Sequence, residues 1–283
     1  MLIYKQYSQA ALDSQYNTRL HVPDFATHLD RWESLSRKTE KEIPVIKDIS
    51  YGKLPLEGLD IYPSLQPHSK TLIFIHGGYW HKFDKSSFQF IAKAFWPYNI
   101  TTVLLNYPLA PEVSMDQISA SCRNAVQWLY QNISAYNGDP GQLYIAGHSA
   151  GAHLAAMMLA TEWNYFNLSA DVIKGVCAIS GLYNLIPIQH SEINQFLNMD
   201  SEAAIRNSPV ELLPKTQCPL ILVVGSNETD EFLEQSRELY ASWKENIPIE
   251  IAEIEGLNHY SIVETMLDRE SYAHQLMLRI MKI

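Results

Sequence analysis

A chain of 283 residues, 47% of them hydrophobic, can fill one large core, and it carries no low-complexity tract or solenoid-spaced repeat. Its formal net charge of −10 argues against a nucleic-acid partner, which needs concentrated Lys and Arg, and against adsorption to anionic membranes. The start, Met1-Leu2-Ile3-Tyr4-Lys5-Gln6-Tyr7, is too short and polar for a signal sequence, and no later run approaches a membrane span. Three scattered cysteines, Cys122, Cys177 and Cys218, lie in or near apolar segments, so a cytoplasmic protein with buried free thiols is expected.

Taken in order, residues 1–43 form a polar, largely helical extension that includes Asp13-Ser14-Gln15-Tyr16-Asn17. Short β-like runs follow at 44–49 and 59–62, separated by a turn at Gly52. Residues 71–75 read as a buried strand, 86–96 as a helix, 101–105 as another buried strand and 114–136 as a long amphipathic helix. Apolar runs at 143–146, 172–179, 220–224 and 248–254 complete a set of eight strands, and 261–281 has the pattern of a terminal helix. Strands that are apolar throughout and alternate with helices predict a single α/β domain over 1–283, with a mainly parallel eight-stranded sheet covered on both faces. The longest insertion, 180–214, is expected to cap the site. In such sheets ligands bind at the carboxyl ends of the strands.

The strongest chemical signal is Gly147-His148-Ser149-Ala150-Gly151, which follows the apolar run Leu143-Tyr144-Ile145-Ala146 and opens an Ala-rich helix. G-x-S-x-G between strand and helix is the setting of a nucleophile elbow. Small neighbours let the chain reverse sharply while the hydroxyl stays exposed, and the helix start favours developing negative charge. Serine is a poor nucleophile until a base takes its proton, and the base needs an orienting acid. Among the downstream histidines, His259 follows a strand and a turn, whereas His153 lies on the elbow helix, His190 in an irregular segment and His274 in a helical pattern. Glu228, three residues past Gly225, is the expected acid; Asp230 is the alternative, although an acid there also suits the first turn of a helix.

The loop His76-Gly77-Gly78 after the first buried strand supplies N–H groups unobstructed by side chains. Gly77 and Gly78, together with Ala150, are the expected oxyanion hole, and His76 is expected to be structural. The His76/His81 and His148/His153 pairs are each five apart, which does not place both rings on one helical face. With no H-E-x-x-H, paired-Cys, dinucleotide or P-loop motif, neither a metal nor a cofactor is expected.

Together these motifs resemble the α/β-hydrolase superfamily and, within it, the kynurenine formamidase (arylformamidase)-like branch of the esterase/lipase group. The resemblance rests on His76-Gly77-Gly78-Tyr79-Trp80, on the 106–112, 147–154 and 180–185 segments, on Glu231-Phe232 with Gln235-Ser236, and on 256–264. It runs from about Leu12 to the C-terminus; related lipases carry a third glycine where this chain has Tyr79. It implies Ser149 as nucleophile, His259 as base, residue 228 as acid, and Gly77, Gly78 and Ala150 as oxyanion donors. Family members with a formamidase role carry Asp at the acid position, where this chain has Glu228, whose longer side chain still reaches a histidine.

The expected activity is serine hydrolysis of an aryl formamide, N-formyl-kynurenine-like, through an acyl-enzyme. A general carboxylesterase for short acyl esters is the alternative, and a non-catalytic binding protein of the same fold is disfavoured by the full set of three residues. Tyr79, Trp80, Tyr183, Asn184 and Tyr260 are the expected substrate contacts, with His81 beside them. The expected partner is a small-molecule substrate, with a homo-oligomer left open.

Overall fold

The computed structural model describes residues 1–283. Eight strands, β1 (Ile46–Ser50), β2 (Gly58–Tyr62), β3 (Ser69–Ile75), β4 (Thr101–Leu105), β5 (Gly138–His148), β6 (Ile173–Ile179), β7 (Leu220–Gly225) and β8 (Ile249–Ile254), form one sheet in the order β1-β2-β4-β3-β5-β6-β7-β8. From β4 to β8 every pairing is parallel, but β2 runs antiparallel to both β1 and β4, so the sheet is mixed. The reason is local: β1 and β2 are joined by a short turn, which permits only antiparallel neighbours, whereas the parallel strands need helical crossovers. β1 is largely exposed and carries Lys47 and Asp48, as suits a sheet edge.

Alternation along the central strands explains why they are apolar throughout. Ile73, Ile75, Leu143, Ile145, Val176 and Ala178 join one core, and Leu72, Phe74, Tyr144, Ala146, Cys177 and Ile179 join the other. Helices Met115–Asn132, Ala150–Leu159 and Asp230–Trp243 cover the first face. Phe25–Glu42, Phe90–Phe95 and Tyr272–Ile280 cover the second. The long helix begins at a reciprocal capping box, Ser114 with Gln117, which satisfies two otherwise orphaned N–H groups. All three cysteines are free and buried, and burial pushes each thiol up to about 12. No helix is long and apolar enough to cross a membrane.

Two helical expectations are corrected. The 86–96 segment is split into a 3₁₀ turn, Lys85–Phe88, capped by Asp84, and a short helix, Phe90–Phe95. The terminal 261–281 segment breaks between Ser261–Glu264 and Tyr272–Ile280, with a 3₁₀ turn, Thr265–Leu267, in between. There Ser271 donates to Thr265 O (2.6 Å) and caps the new helix at His274 N (3.1 Å), so one hydroxyl both ends the first turn and starts the next.

Candidate active site

β5 ends at His148 and the helix starts at Ala150, leaving Ser149 at the turn with φ 57° and ψ −120°. That backbone is strained for a residue with a Cβ, by about 1–3 kcal/mol. Ser149 N–H donates to Ile179 O (2.8 Å), and Ser149 O accepts from Ala152 N (3.0 Å), so both strand and helix hold the turn. The motif's glycines are steric necessities. A Cβ on Gly151 would lie 2.0 Å from Ile75 O, and one on Gly147 would lie 2.2 Å from Gly151 O. Ser149 lines a cavity of about 290 Å³ at the carboxyl ends of the parallel strands.

His259 lines the same cavity from the loop after β8. Its Nδ1 donates to Glu228 Oε2 (2.7 Å), on the loop after β7. The Glu228 carboxylate is fully buried and accepts two more bonds, from Gly225 N (2.9 Å) and Ser180 Oγ (2.5 Å). Three donors offset the cost of burying that charge. A carboxylate at Nδ1 fixes the tautomer, leaving Nε2 as the proton-accepting nitrogen. Phe232 packs on the ring at 4.5 Å between centroids and His148 at 4.7 Å. His148 Nε2 donates to His259 O (2.8 Å), and burial, then the nearby His259, holds His148 well below its ordinary pKa. Asp230, by contrast, is the exposed first residue of its helix and has no contact with His259.

The loop after β3 faces Ser149. Gly77 and Gly78 N–H make no hydrogen bond within the chain, and Ala150 opens a helix, where the first N–H groups lack intrahelical acceptors. A Cβ on Gly77 would come within 3.0 Å of Ser149 Cβ; Gly78 has φ +114°, and a Cβ there would meet Lys82 O at 2.2 Å. His76 lies behind the loop: Nδ1 donates to Gly77 O (2.8 Å), and the ring stacks on Tyr107 at 4.3 Å. Burial lowers its pKa to about 4, so it stands neutral.

The expected substrate contacts divide. Tyr79 and Tyr260 line the cavity, as does His81. Trp80 does not: it is fully buried, donating Nε1–H to His153 Nδ1 (3.1 Å), and His153 in turn bonds Asn207 O (2.7 Å). Tyr183 and Asn184 are also placed away from the cavity. Their N–H groups donate to Gln235 Oε1 at 2.6 and 2.7 Å, and Asn184 Nδ2 donates to Glu238 Oε2 (3.0 Å), pinning the start of the insertion to helix Asp230–Trp243.

The remaining walls were not legible in the motifs. One is Tyr16, Asn17, Thr18 and Arg19; another is Glu192, Ile193, Gln195 and Phe196, within the 180–214 insertion. His81 stacks on Phe196 at 4.1 Å, and burial, Lys82 and Arg19 together lower its pKa to about 4. Arg19 lies over the Phe25 ring and Lys82 over the Phe196 ring, and neither is paired with a carboxylate. For the N-terminal wall the polar run at 13–17 was the one signal, and nothing in it gave direction; the second wall falls in the insertion expected to cap the site. No group of three or more His, Cys, Asp or Glu is arranged to hold a metal ion.

A sheet of this topology, with a serine elbow after its central strand and an acid and a histidine on the loops after β7 and β8, defines the α/β-hydrolase class. Comparison with known proteins agrees. The BD-FAE family model matches residues 59–243. The kynurenine formamidase of Salmo salar is 31% identical over 278 residues, covering 95% of this chain and 93% of that protein. That of Danio rerio is 31% identical over 291 residues, 98% of each. A structure from Silicibacter sp. TM1040, described as a thioesterase, superposes with a TM-score of 0.84 at 27% identity, covering 96% of this chain and 99% of that one. Esterase B of Lactobacillus rhamnosis, with a TM-score of 0.71 at 17% identity over 92% of this chain and 96% of that one, shares the fold. The chain belongs to the BD-FAE family and to the kynurenine formamidase-like branch of the α/β-hydrolases, and it is a hydrolase.

Proposed function

We propose that the protein hydrolyses an aryl formamide of the N-formyl-kynurenine kind through an acyl-enzyme on Ser149. The observation that carries this reading is the cavity shared by Ser149 and a His259 already oriented by buried Glu228. His259 Nε2 takes the Ser149 proton as Oγ attacks the formyl carbon, and the carbonyl π electrons move onto oxygen. The N–H groups of Gly77, Gly78 and Ala150 receive that oxyanion; one such donor is worth about 3 kcal/mol in the transition state. Collapse breaks the C–N bond, with His259 returning its proton to the departing arylamine. Water, deprotonated by the same ring, then attacks the formyl-serine and releases formate.

Two further facts support this substrate class. The cavity, about 290 Å³, is sized for one small aromatic compound. In a chain of net charge −10, the Arg19 and Lys82 that line it, neither in a salt bridge, favour a substrate with a carboxylate, and Glu192, also in the lining, suits an ammonium group. Names of the full-length relatives point the same way.

The test is kcat/KM for N-formyl-L-kynurenine beside p-nitrophenyl acetate, with Ser149→Ala as control. A formamide value well above the ester value, abolished in the control, supports the reading and places the protein in tryptophan breakdown. Ester turnover with negligible deformylation moves the assignment to a short-chain carboxylesterase. Arg19→Ala should raise KM for the formyl amino acid about fivefold while leaving the neutral ester unchanged; equal effects on both would remove the anion argument.

A further inference from the structure

We propose that residues 15–18, at the break between two N-terminal helices, are a positioning strap that holds the oxyanion, acid and base loops in register, with Thr18 as its tether to the base loop. The proposal rests on the serine-hydrolase reading of the site above.

Its physical origin is a helix end. Helix Gln9–Tyr16 stops at Asn17, whose φ of −90° and ψ of 79° interrupt the path before a second short helix, Thr18–His21. The last carbonyls of a helix have no intrahelical donor. Asp13 O and Ser14 O are taken by Asn17 N, which leaves Gln15 O and Tyr16 O. Each receives a hydroxyl from a different catalytic-face loop. Thr229 Oγ1, adjacent to Glu228, donates to Gln15 O (2.7 Å). Tyr79 Oη, on the loop that carries Gly77 and Gly78, donates to Tyr16 O (2.5 Å). The third loop is reached by a side chain: Thr18 Oγ1 and Tyr260 Oη are 2.9 Å apart, and Tyr260 follows His259.

Around these contacts Tyr16 and Thr18 are buried, Gln15 and Asn17 half-buried. Gln15 Oε1 accepts from Glu231 N (3.1 Å). Tyr16 donates its hydroxyl to Glu231 Oε2 (2.8 Å) and accepts from Gln235 (3.1 Å). Its ring packs on Phe232 at 6.1 Å, the ring that lies against His259. Thr18 is 8% and Tyr260 6% exposed, so water cannot replace their bond without cost.

The three loops leave three different strands. The acid and base loops are tied directly, by Asn227 N–H to Leu257 O (2.9 Å), Asn227 Nδ2 to Gly256 O (3.1 Å), Gly256 N–H to Ser226 Oγ (2.9 Å) and the Glu228–His259 pair, whereas the oxyanion loop shares no hydrogen bond with either except through this segment. The oxyanion loop needs outside support most. Tyr79 and Trp80 are consecutive non-glycine residues in the left-handed region, at φ 50° and 59°. A backbone of that kind persists where its surroundings over-determine it, and the Tyr79–Tyr16 bond is one such constraint.

The experiment compares Thr18→Val with Thr18→Ser and, as an independent tether, Thr229→Val. It reads kcat and KM on the best substrate, the melting temperature, and the rate of labelling by a fluorophosphonate, which reports serine activation whatever the physiological substrate. Thr18→Val is expected to lower kcat and the labelling rate about five- to twentyfold with KM little changed, Thr18→Ser to restore both, and Thr229→Val to act in the same direction. Rates within twofold of the parent, with only the melting temperature lowered, would reduce the strap to a structural element and overturn the proposal. A rise in KM alone would make Thr18 a substrate contact and also overturn it. A parent that resists labelling, or a Ser149→Ala variant that accepts it, would sink the serine-hydrolase reading and the strap with it.

Discussion

The floor and the rim of the cavity are built by different physics. The floor, from Gly147 to Gly151 with Gly77 and Gly78, is fixed by backbone in contact with backbone: added Cβ atoms at four of its glycines would fall 2.0–2.9 Å from carbonyl oxygens. Within and behind it lie three buried neutral imidazoles, His76, His148 and His153, whose pKa values burial lowers. The rim holds instead by the His81–Phe196 stack and by unpaired cations over aromatic faces. A floor without clearance gives one geometry to the reacting atoms. A rim of side chains gives affinity and selectivity, and it can change without disturbing the turn beneath.

The largest effect should come from Gly151→Ala. Its Cβ would stand 2.0 Å from a main-chain oxygen that cannot step aside, so loss of the folded protein, on the order of 4 kcal/mol or more, is expected in a urea titration. A stable, active variant would break the idea of a floor with no clearance. Glu228→Gln keeps the shape but removes the charge that orients His259; kcat should fall about 10³–10⁴-fold with the melting temperature little changed.

Acid should act on the floor next. The folded-state pKa values of His76 and His153, about 4, lie below the ordinary 6.5, so the unfolded chain binds protons more readily. Their contribution is complete above pH 6.5 and is lost as pH falls towards 4, by about 3 kcal/mol for each ring. A urea midpoint that stays constant from about pH 7 to about pH 5 would contradict this. The half-exposed His81 contributes less, because solvent screens it. The smallest effect belongs to the rim: Phe196→Ala should raise KM about threefold with kcat unchanged, and a large drop in kcat would show that the two regions are not separable.

Most of the floor was legible in the sequence, because it is written in two short motifs. G-x-S-x-G names glycines where no Cβ fits, Gly147 against Gly151 O one turn on and Gly151 against Ile75 O of the adjacent strand, and His-Gly-Gly after a strand names free N–H groups. The choice between Glu228 and Asp230 was legible only in part: both follow β7, and a first-turn position disfavours Asp230 without saying which carboxylate meets His259. Trp80 stands next to a cavity residue, yet consecutive residues at positive φ send one ring to the cavity and the other to the core. Proximity in sequence could not give that direction. Tyr183 and Asn184 likewise serve the packing of the insertion rather than the cavity wall.

The sequence by itself determined the layered α/β class, the elbow, and the order of Ser149, Glu228 and His259 at successive strand ends, since periodicity and local sterics carry that information. The antiparallel pairing of β2 with β4 and the N-terminal wall of the cavity were decided only by tertiary packing. The bonds from Thr229 to Gln15 and between Thr18 and Tyr260 span 214 and 242 residues of chain. Hydroxyl and carbonyl partners that far apart have no spacing rule; they meet because two strand-end loops and one helix end converge on the same edge of the sheet.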